Sequence, residues 1–496
     1  MTSQSSRAEL ASNKKTTGLK KNIALSTIYQ ILALILPLST APYVSRVLGV
    51  ENIGVYSYTH SYIQFFMLFG ALGTISYGSR EIAIHRNDIK KRSQLFWEIS
   101  LLTILMTSFV IIAWGLWVII NKENRTYYLI WTISLLGTMF DISWFYAGIE
   151  QFKYTVTQNL LFKFLGMISI FVFVRDPDDL WLYIMILAAS QTIANLSMWL
   201  YIPKFVVKVS IKTIRIRHHI KETLIYFVPT IAISIYTILD KTLIGLITHD
   251  DYENGNYEQA TKIVNIAKTL SFVGINSVMQ SRISYLYAQE KYDEIKDKIK
   301  ISFDYMAFVS IGIVCGMIGI AERFVPFFYG AGYDKTIILL QVMAPIVFVV
   351  SISNCLGSQF YNPVGLRSKS AKFIIIGSII NLCLNLILIP RFKSEGAVVA
   401  SVIAEVIISF MYIRKCEGYY SFKLLFAAMW KKVIAGLIMV FVVYFLGQQI
   451  EKAVYALIIQ VMAGIGIYCA LLYILNDSFI KNIAIPQIKK IIKKKC

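Results

Sequence analysis

Long apolar runs dominate the sequence, and their length restricts the fold more than any other feature. About fourteen runs of about 17 to 25 residues follow one another along the chain of 496 residues, and each is long enough to cross a bilayer as an α-helix. Inside lipid, every backbone N–H and C=O must be hydrogen-bonded, which leaves only helices and closed barrels. The runs are too long and too uniformly apolar for barrel strands. We therefore predict an all-α integral membrane protein.

The limits of the predicted spans follow from the same runs. They are residues 22–44, 53–78, 95–120, 127–149, 158–174, 180–203, 223–247, 257–281, 301–321, 337–360, 373–390, 396–413, 433–449 and 453–475. The composition agrees with a membrane protein, because 56% of the residues are hydrophobic and only 16% are charged, unlike in soluble domains.

The six cysteines form no C-x-x-C pair and lie mostly within the runs. We therefore interpret them as buried hydrophobic residues and expect no metal or other cofactor.

Lysine and arginine indicate the orientation of the chain. The net charge is +20. With both termini in the cytoplasm, about 35 basic residues fall on the inner side of the membrane and about 9 on the outer side, a strong positive-inside bias. The first apolar run is too long for a cleaved signal peptide and lacks a small-residue cleavage site. The excess of lysine and arginine on the inner side explains the positive net charge, so no nucleic-acid partner is needed to account for it.

A weak internal repeat predicts two related bundles of six helices. Gly54 and Tyr56 open the second span as Gly255 and Tyr257 open the eighth, and internal repeats are common in transporters. The predicted divisions are a cytoplasmic N-terminal tail at 1–21, an N-lobe at 22–203, a cytoplasmic amphipathic linker at 204–222, a C-lobe at 223–415, an interfacial segment with helices 13 and 14 at 416–475, and a basic cytoplasmic tail at 476–496.

The linker contains basic residues at helical spacing, which are Lys204, Lys208, Lys212, Arg215 and His219. This spacing favours an amphipathic helix that lies on the anionic inner leaflet. A solvated basic loop that only sets topology is the alternative.

Charged residues inside the predicted spans are the main functional signal, because each costs at least about 2.5 to 3.5 kcal/mol at membrane depth and normally faces a cavity or a partner. In the seventh span Lys241 ends a polar stripe, whereas Asp240 points about 100° away, toward a neighbouring helix. Our candidates for substrate binding are Arg46, Tyr56, Gln64, Lys241, Lys262, Asn265 and Lys268. Our candidates for gating or coupling are Arg80, Asp141, Asp240 and Arg282.

Structural roles remain open for each candidate. Asp240 could neutralise Lys262 or Lys268, Lys241 could extend to the interface, and the arginines near the membrane faces could only anchor topology. If the candidates do line a cavity, its cations suit a diphosphate, and its amides and aromatic rings suit a sugar. A lipid-linked oligosaccharide carried on a diphosphate contains both groups.

Four stretches together resemble the polysaccharide-export branch of the multidrug, oligosaccharidyl-lipid and polysaccharide flippase superfamily. They are "PYVSRVLGVENIGVYSY" (42–58), "DISWFYAGIEQFKY" (141–154), "LDKTLIGL" followed by "GNYEQATKIVN" (239–265) and "SRISYLYAQE" (281–290). The resemblance implies fourteen helices, in which two six-helix lobes form a V around a central cavity. It also implies a bacterial plasma-membrane flippase that moves undecaprenyl-diphosphate-linked repeat units outward for capsule, exopolysaccharide or O-antigen synthesis, with a polymerase and glycosyltransferases as possible partners.

Several residues of the family's motifs match particular positions in this sequence. The family's arginine after the first span matches Arg46, its intramembrane Asp-Lys pair matches Asp240 and Lys241, and its Gln-Ala-x-Lys motif places Lys262. Lipid II flippases, which are related, carry arginines in their first helix, whereas residues 22–44 contain no charge. This departure argues against a peptidoglycan precursor and places more weight on the seventh and eighth spans.

A multidrug exporter and a membrane enzyme are the two alternatives to a flippase. A cation-coupled multidrug exporter of the same superfamily would favour an acidic cavity, whereas the candidates are mainly basic. A membrane polysaccharide polymerase or glycosyltransferase would need acidic or histidine residues on a sizeable outer loop, and the longest predicted outer connection, "ERFVPFFYGAGYDKT", has about 15 residues. The loops contain no Walker motif. We therefore expect a transporter rather than an enzyme.

Overall fold

The structure, a computed structural model, describes the backbone of residues 2–486 and the side chains of that range except those of residues 2–31, 33, 34, 211, 228, 229, 232, 233, 235, 236, 273, 274, 277, 482 and 484. Residues 487–496 of the predicted basic tail lie outside it. Within the described residues the regular structure is helical, and nine helical segments are long and apolar enough to cross a membrane. The prediction of an all-α membrane protein is confirmed.

The α-helices follow in this order: α1 (Thr2–Ala71), α2 (Thr74–Ile84), α3 (Ile89–Ile120), α4 (Arg125–Met139), α5 (Ser143–Gly148), α6 (Phe152–Phe173), α7 (Leu180–Met198), α8 (Ile216–Thr248), α9 (Asp251–Ala288), α10 (Tyr292–Tyr329), α11 (Asp334–Met343), α12 (Pro345–Asn354), α13 (Arg367–Arg414), α14 (Phe422–Gln449) and α15 (Ala453–Ile474). Short 3-10 turns occupy Pro177–Asp179, Trp199–Lys204 and Ile211–Thr213, and π-helical turns occupy Cys355–Tyr361 and Ile480–Ala484. Each of the fourteen predicted spans lies on helical backbone for most of its length.

Two of the long helices are kinked where one predicted span gives way to the next. Gly49 has φ 77° inside α1, a left-handed conformation that glycine adopts without a steric penalty. Lys393 has φ 49° inside α13. Further breaks interrupt the predicted second and fourth spans, where α2 is separated from α1 by Leu72 and Gly73 and α5 is separated from α4 by residues 140–142. The sequence does not predict these two interruptions, although Arg125–Gly148 as a whole is still long and apolar enough to cross a membrane.

The chain divides into two compact units, Met1–Ser234 (unit 1) and Ile235–Cys496 (unit 2). Large aromatic side chains pack among aliphatic ones in the buried core of unit 1, with Trp114 and Trp131 in one cluster and Phe96 and Trp144 in another. In unit 2, Phe303 stacks on Tyr420 with ring centroids 3.8 Å apart. Each unit thus has its own hydrophobic core.

The predicted amphipathic helix of the linker is wrong for residues 205–215, where the described backbone forms only the 3-10 turn Ile211–Thr213 before α8 begins. The physical reason is a buried carboxylate in α3. Glu98 Oε1 accepts a 2.8 Å hydrogen bond from the backbone N–H of Arg215, and Glu98 Oε2 lies 2.9 Å from His219 Nε2. His219 is also hydrogen-bonded to the Tyr77 hydroxyl at 2.7 Å. These bonds bury His219 instead of placing it on a basic lipid-facing side.

Candidate functional site

Asp240 is a buried carboxylate in α8 whose hydrogen bonds come from neutral side chains. The Tyr257 hydroxyl and the Ser401 hydroxyl each donate to Oδ2 at 2.6 Å, and the Asn385 amide donates to Oδ1 at 2.6 Å. Only 4% of Asp240 is exposed. Such donors satisfy a carboxylate at membrane depth without a salt bridge. The hydrogen bonds of Asp240 thus come from neutral groups rather than from Lys262 or Lys268, while its charge still acts electrostatically on Lys268.

The kink in α13 explains how these donors meet. Asn385 lies before Lys393 and Ser401 lies after it, so both limbs of the kinked helix contribute to one carboxylate. Asn385 also donates to Asn381 Oδ1 at 3.1 Å, and the Asn381 amide donates to the Ser401 hydroxyl at 3.2 Å. The amide and hydroxyl groups therefore hold one another in place around Asp240.

Lys241 and Lys262 share one carboxylate. The Lys241 ammonium forms a salt bridge with Glu258 Oε2, and Lys262 Nζ lies 3.4 Å from Glu258 Oε1. The Glu258 side chain is only 6% exposed, whereas those of Lys241 and Lys262 are 18% and 29% exposed. Two ammonium groups thus contact the same carboxylate in a partly desolvated place, and ammonium groups in such a place suit an incoming phosphate group.

Lys268 and Asn265 extend this part of α9. The carboxylates of Glu405 and Asp240 act electrostatically on Lys268, which is half-buried. Asn265 is exposed, and its backbone carbonyl accepts a 2.8 Å hydrogen bond from the Thr269 hydroxyl. The structure therefore brings together Asp240, Lys241, Lys262 and Lys268 on neighbouring stretches of unit 2. We call Lys241, Glu258 and Lys262 the lysine pair site.

Arg46, Tyr56 and Gln64 all lie on α1, in unit 1. Arg46 is exposed just before the kink at Gly49, and Gln64 is half-buried. Tyr56 is only 8% exposed and stacks on His60 at 5.4 Å between ring centroids, with the ring of Tyr183 at 5.2 Å. This burial favours a packing role for Tyr56.

The two predicted gate arginines lie at exposed positions. Arg80 in α2 forms a 3.0 Å salt bridge with Glu81, and its side chain is 56% exposed. Arg282 in α9 lies 3.9 Å from Glu294 and above the ring of Tyr285. Exposed pairs of this kind contribute little to stability, so both arginines can exchange partners at little cost.

Asp141 lies at the break between α4 and α5, in unit 1. Its Oδ1 accepts a 2.8 Å hydrogen bond from the backbone N–H of Ser143, and its backbone carbonyl accepts a 3.1 Å bond from the Trp144 indole. The carboxylate borders a polar cavity of about 580 Å³ within unit 1. The structure thus places Asp141 in the wall of a cavity whose described lining residues all belong to unit 1.

Four residues around Asp240 and the lysine pair were not among our sequence candidates, namely Glu258, Tyr257, Asn385 and Ser401. Asn381 and Asn385 did carry a signal, because two amides four residues apart in the apolar stretch "NLCLN" share one helix face. Polar residues at that spacing inside a predicted span indicate a buried partner. The identity of the partner, 145 residues away in the chain, was not evident.

Comparison with protein families gives one match that covers half of the chain. The model described as "Polysaccharide biosynthesis protein" matches residues 19–279. This range includes the Asp240 cluster of α8 and α9 and the whole lysine pair site. Two proteins named "Putative O-antigen transporter" are similar at 24% identity. The one from Escherichia coli (strain K12) aligns over 81% of this chain and 98% of its own length, and the one from Shigella dysenteriae over 79% and 98%.

Solved structures share the fold. A lipid II flippase MurJ in an inward closed conformation aligns with a TM-score of 0.74 at 17% identity, over 92% of this chain and 100% of the flippase. An inward-facing multidrug resistance MATE family transporter of the MOP superfamily aligns with a TM-score of 0.56 at 12% identity, over 83% of this chain and 95% of the transporter. The chain therefore has the transporter fold of these flippases and exporters.

Proposed function

Since the chain belongs to the polysaccharide biosynthesis protein family, we propose that it flips undecaprenyl-diphosphate-linked oligosaccharide repeat units across the bacterial plasma membrane. The repeat units delivered to the outer face would be used to build a surface polysaccharide. That polysaccharide would be a capsule, an exopolysaccharide or an O-antigen. The polymerase and glycosyltransferases that make and use the repeat units are the proposed partners. Both termini would lie in the cytoplasm, in keeping with the positive-inside bias.

The lysine pair site carries the proposal. A diphosphate has several acceptor oxygens, and two ammonium groups that share one carboxylate can transfer part of their hydrogen bonding to it without being left unpaired. Glu258 then remains as a partner for the lysines whenever the substrate is absent, so two half-buried cations never face each other without a counter-charge. This property suits a carrier that must bind and release its cargo repeatedly.

Transport would proceed by alternating access, in which the lysine pair site opens to one face of the membrane at a time. Binding energy that is equal on the two sides gives no direction to the movement. A coupling ion, the membrane potential or consumption of the product outside would supply direction, and Asp240 is the proposed coupling group. No bond is made or broken in the cargo, so the proposed activity is transport rather than catalysis.

The test is the position of the lipid-linked sugars in cells depleted of the protein. An impermeant oxidant modifies only the sugars that face outward. The proposal predicts that intact repeat units accumulate on the inner face and that surface polysaccharide disappears. Complete single units on the outer face would overturn the proposal and would place the protein in polymerisation.

A further inference from the structure

A polar cavity of about 580 Å³ lies within unit 1, among α2, the break between α4 and α5, α6 and α7. Its volume falls in the range of small-molecule binding sites. Its lining includes the carboxylate of Asp141 and the hydroxyl residues Ser76 and Ser79 on α2. None of these groups belongs to the lysine pair site. A cavity with so many polar groups in a membrane protein needs a polar occupant.

The helix break at residues 140–142 is one wall of this cavity. α4 ends at Met139 and α5 begins at Ser143, and non-helical backbone at membrane depth is tolerated only where it is buried in protein or lines a water-filled space. The Ser143 N–H fixes one oxygen of the Asp141 carboxylate. The break therefore presents a positioned hydrogen-bond acceptor to the cavity.

Three amide side chains, those of Asn159, Gln191 and Asn195, also line the cavity. Gln191 Nε2 lies 3.2 Å from Asn195 Oδ1 and 3.4 Å from Asn159 Oδ1, and the Asn195 amide donates to the Gly137 carbonyl at 2.9 Å. Asn195 and Asn159 are 5% and 9% exposed. Since the amides fix one another's orientation, they offer a set of donors and acceptors that is ordered before a ligand binds.

One residue of the cavity lining, Trp144, packs tightly against α2. Trp144 is 1% exposed and packs against Gly78, where an added Cβ would lie 2.6 Å from the indole ring. Glycine at position 78 is thus needed for the ring to occupy its place. The tightly packed ring thus supports the wall of the cavity, while the cavity's amides, hydroxyls and carboxylate suit the hydroxyl groups of a sugar.

This cavity differs from the lysine pair site in the charge of its lining residues. None of the described residues that line it is basic, so it offers no counter-charge to a phosphate. Building on the proposed flippase function, we propose that the cavity of unit 1 binds a sugar residue of the repeat unit through its hydroxyls. An uncharged or amino sugar fits the acidic group Asp141, and an acidic sugar does not.

The experiment uses the full chain in lipid nanodiscs with the substitution Ser76→Cys, because Ser76 is exposed and lines the cavity. An impermeant maleimide labels the introduced thiol, and mass spectrometry of that peptide separates it from the native cysteines. The probes are the glycan lipid purified from depleted cells and undecaprenyl diphosphate without a sugar. Ser210→Cys is the matched control, since Ser210 is exposed in the linker of the same unit and does not line the cavity.

We expect the glycan lipid to slow labelling at position 76 about tenfold, and we expect sugar-free undecaprenyl diphosphate to leave that rate unchanged. Neither probe should slow labelling at position 210. Equal protection by the two probes would overturn the inference, because the occupant would then be the diphosphate or the prenyl chain. Absence of protection in a Ser76→Cys variant that still flips the glycan lipid in proteoliposomes would overturn the inference and leave the flippase proposal standing. If the wild-type chain does not flip the glycan lipid in the same proteoliposomes, both proposals are removed.

A second variant tests whether the sugar binds in the cavity directly. The alternative is that substrate bound elsewhere in the chain closes the cavity and so protects position 76. Gln191→Leu removes the amide with little change in volume, and we expect it to raise the KM for glycan-lipid transport about tenfold while binding of sugar-free undecaprenyl diphosphate stays unchanged. Gln449→Leu, at the exposed end of α14, is the control. An unchanged KM in Gln191→Leu would contradict direct contact between the amides of the cavity and a sugar.

Discussion

The side-chain amide of Asn385 donates a 2.6 Å hydrogen bond to the carboxylate of Asp240, across 145 positions of the sequence. Together with Tyr257 and Ser401, it leaves this buried acid surrounded by neutral donors. A carboxylate in such a place can take up a proton and release it again without breaking a salt bridge, which is a useful property for coupling transport to a gradient.

The first prediction concerns this coupling. We expect Asp240→Asn to transport at a rate that no longer responds to a proton gradient, because the amide cannot titrate. The comparison is the initial flipping rate in proteoliposomes with and without the gradient. Asp334→Asn, at an exposed position of α11, is the control and should keep the response. If the wild type itself is indifferent to the gradient, Asp240 is not a proton-coupling group.

The second prediction concerns Lys241. Lys241→Gln leaves Glu258 with one cation instead of two and removes half of the proposed diphosphate contact. We expect export of surface polysaccharide to fall by about a hundredfold or more, a loss of about 2.8 kcal/mol at 1.4 kcal/mol per tenfold step. Immunoblots of the membrane fraction should show a normal protein level. Lys300→Gln, at an exposed position of α10, should export normally, and equal export by both variants would exclude Lys241 from the binding site.

The third prediction concerns the shared carboxylate. Glu258→Gln removes the anion that competes with the cargo for the two lysines, so we expect tighter binding of undecaprenyl diphosphate, by about threefold to tenfold, and slower turnover because release becomes harder. Equilibrium binding of radiolabelled undecaprenyl diphosphate measures the first effect, and flipping under saturating substrate measures the second. Weaker binding would show instead that Glu258 is needed to orient the lysines.

The sequence predicted the helices well because the bilayer itself imposes their length and apolar character. The breaks were missed because packing decides them. At Gly73, which has φ 73°, an added Cβ would lie 2.8 Å from the Thr223 carbonyl oxygen, and no local pattern reveals this close approach. Charges inside the spans mark Asp240 and Lys241 as unusual, yet the partners of Asp240 on α13 lie at least 145 positions away and no local pattern pairs them with it.

The fourth prediction concerns the C-terminal helices. Lys432 is fully buried in α14, where its ammonium contacts Asp304 at 2.6 Å and Asp477 at 2.8 Å. Lys432→Met would leave two buried carboxylates without their cation, at a cost of about 3 to 5 kcal/mol. We expect the temperature of thermal unfolding in detergent to drop clearly. Fluorescence-detected size-exclusion chromatography of heated samples measures this temperature.

The control for this change is Lys423→Met, because Lys423 is exposed in the first turn of the same helix. It should unfold at the wild-type temperature. If Lys432→Met also did so, the three buried groups would contribute no net stability to the packing of α14.

The most direct test of the central claim is flipping by the purified protein. Glycan lipid from depleted cells is placed in liposomes with and without the protein, and an impermeant oxidant reports over time the fraction of sugars on the outer surface. We predict that wild-type protein exposes the protected inner pool to the oxidant and that Lys241→Gln does not. If the protected fraction stays the same with wild-type protein as in protein-free liposomes, under a proton gradient and a membrane potential of either sign, the chain is not the flippase.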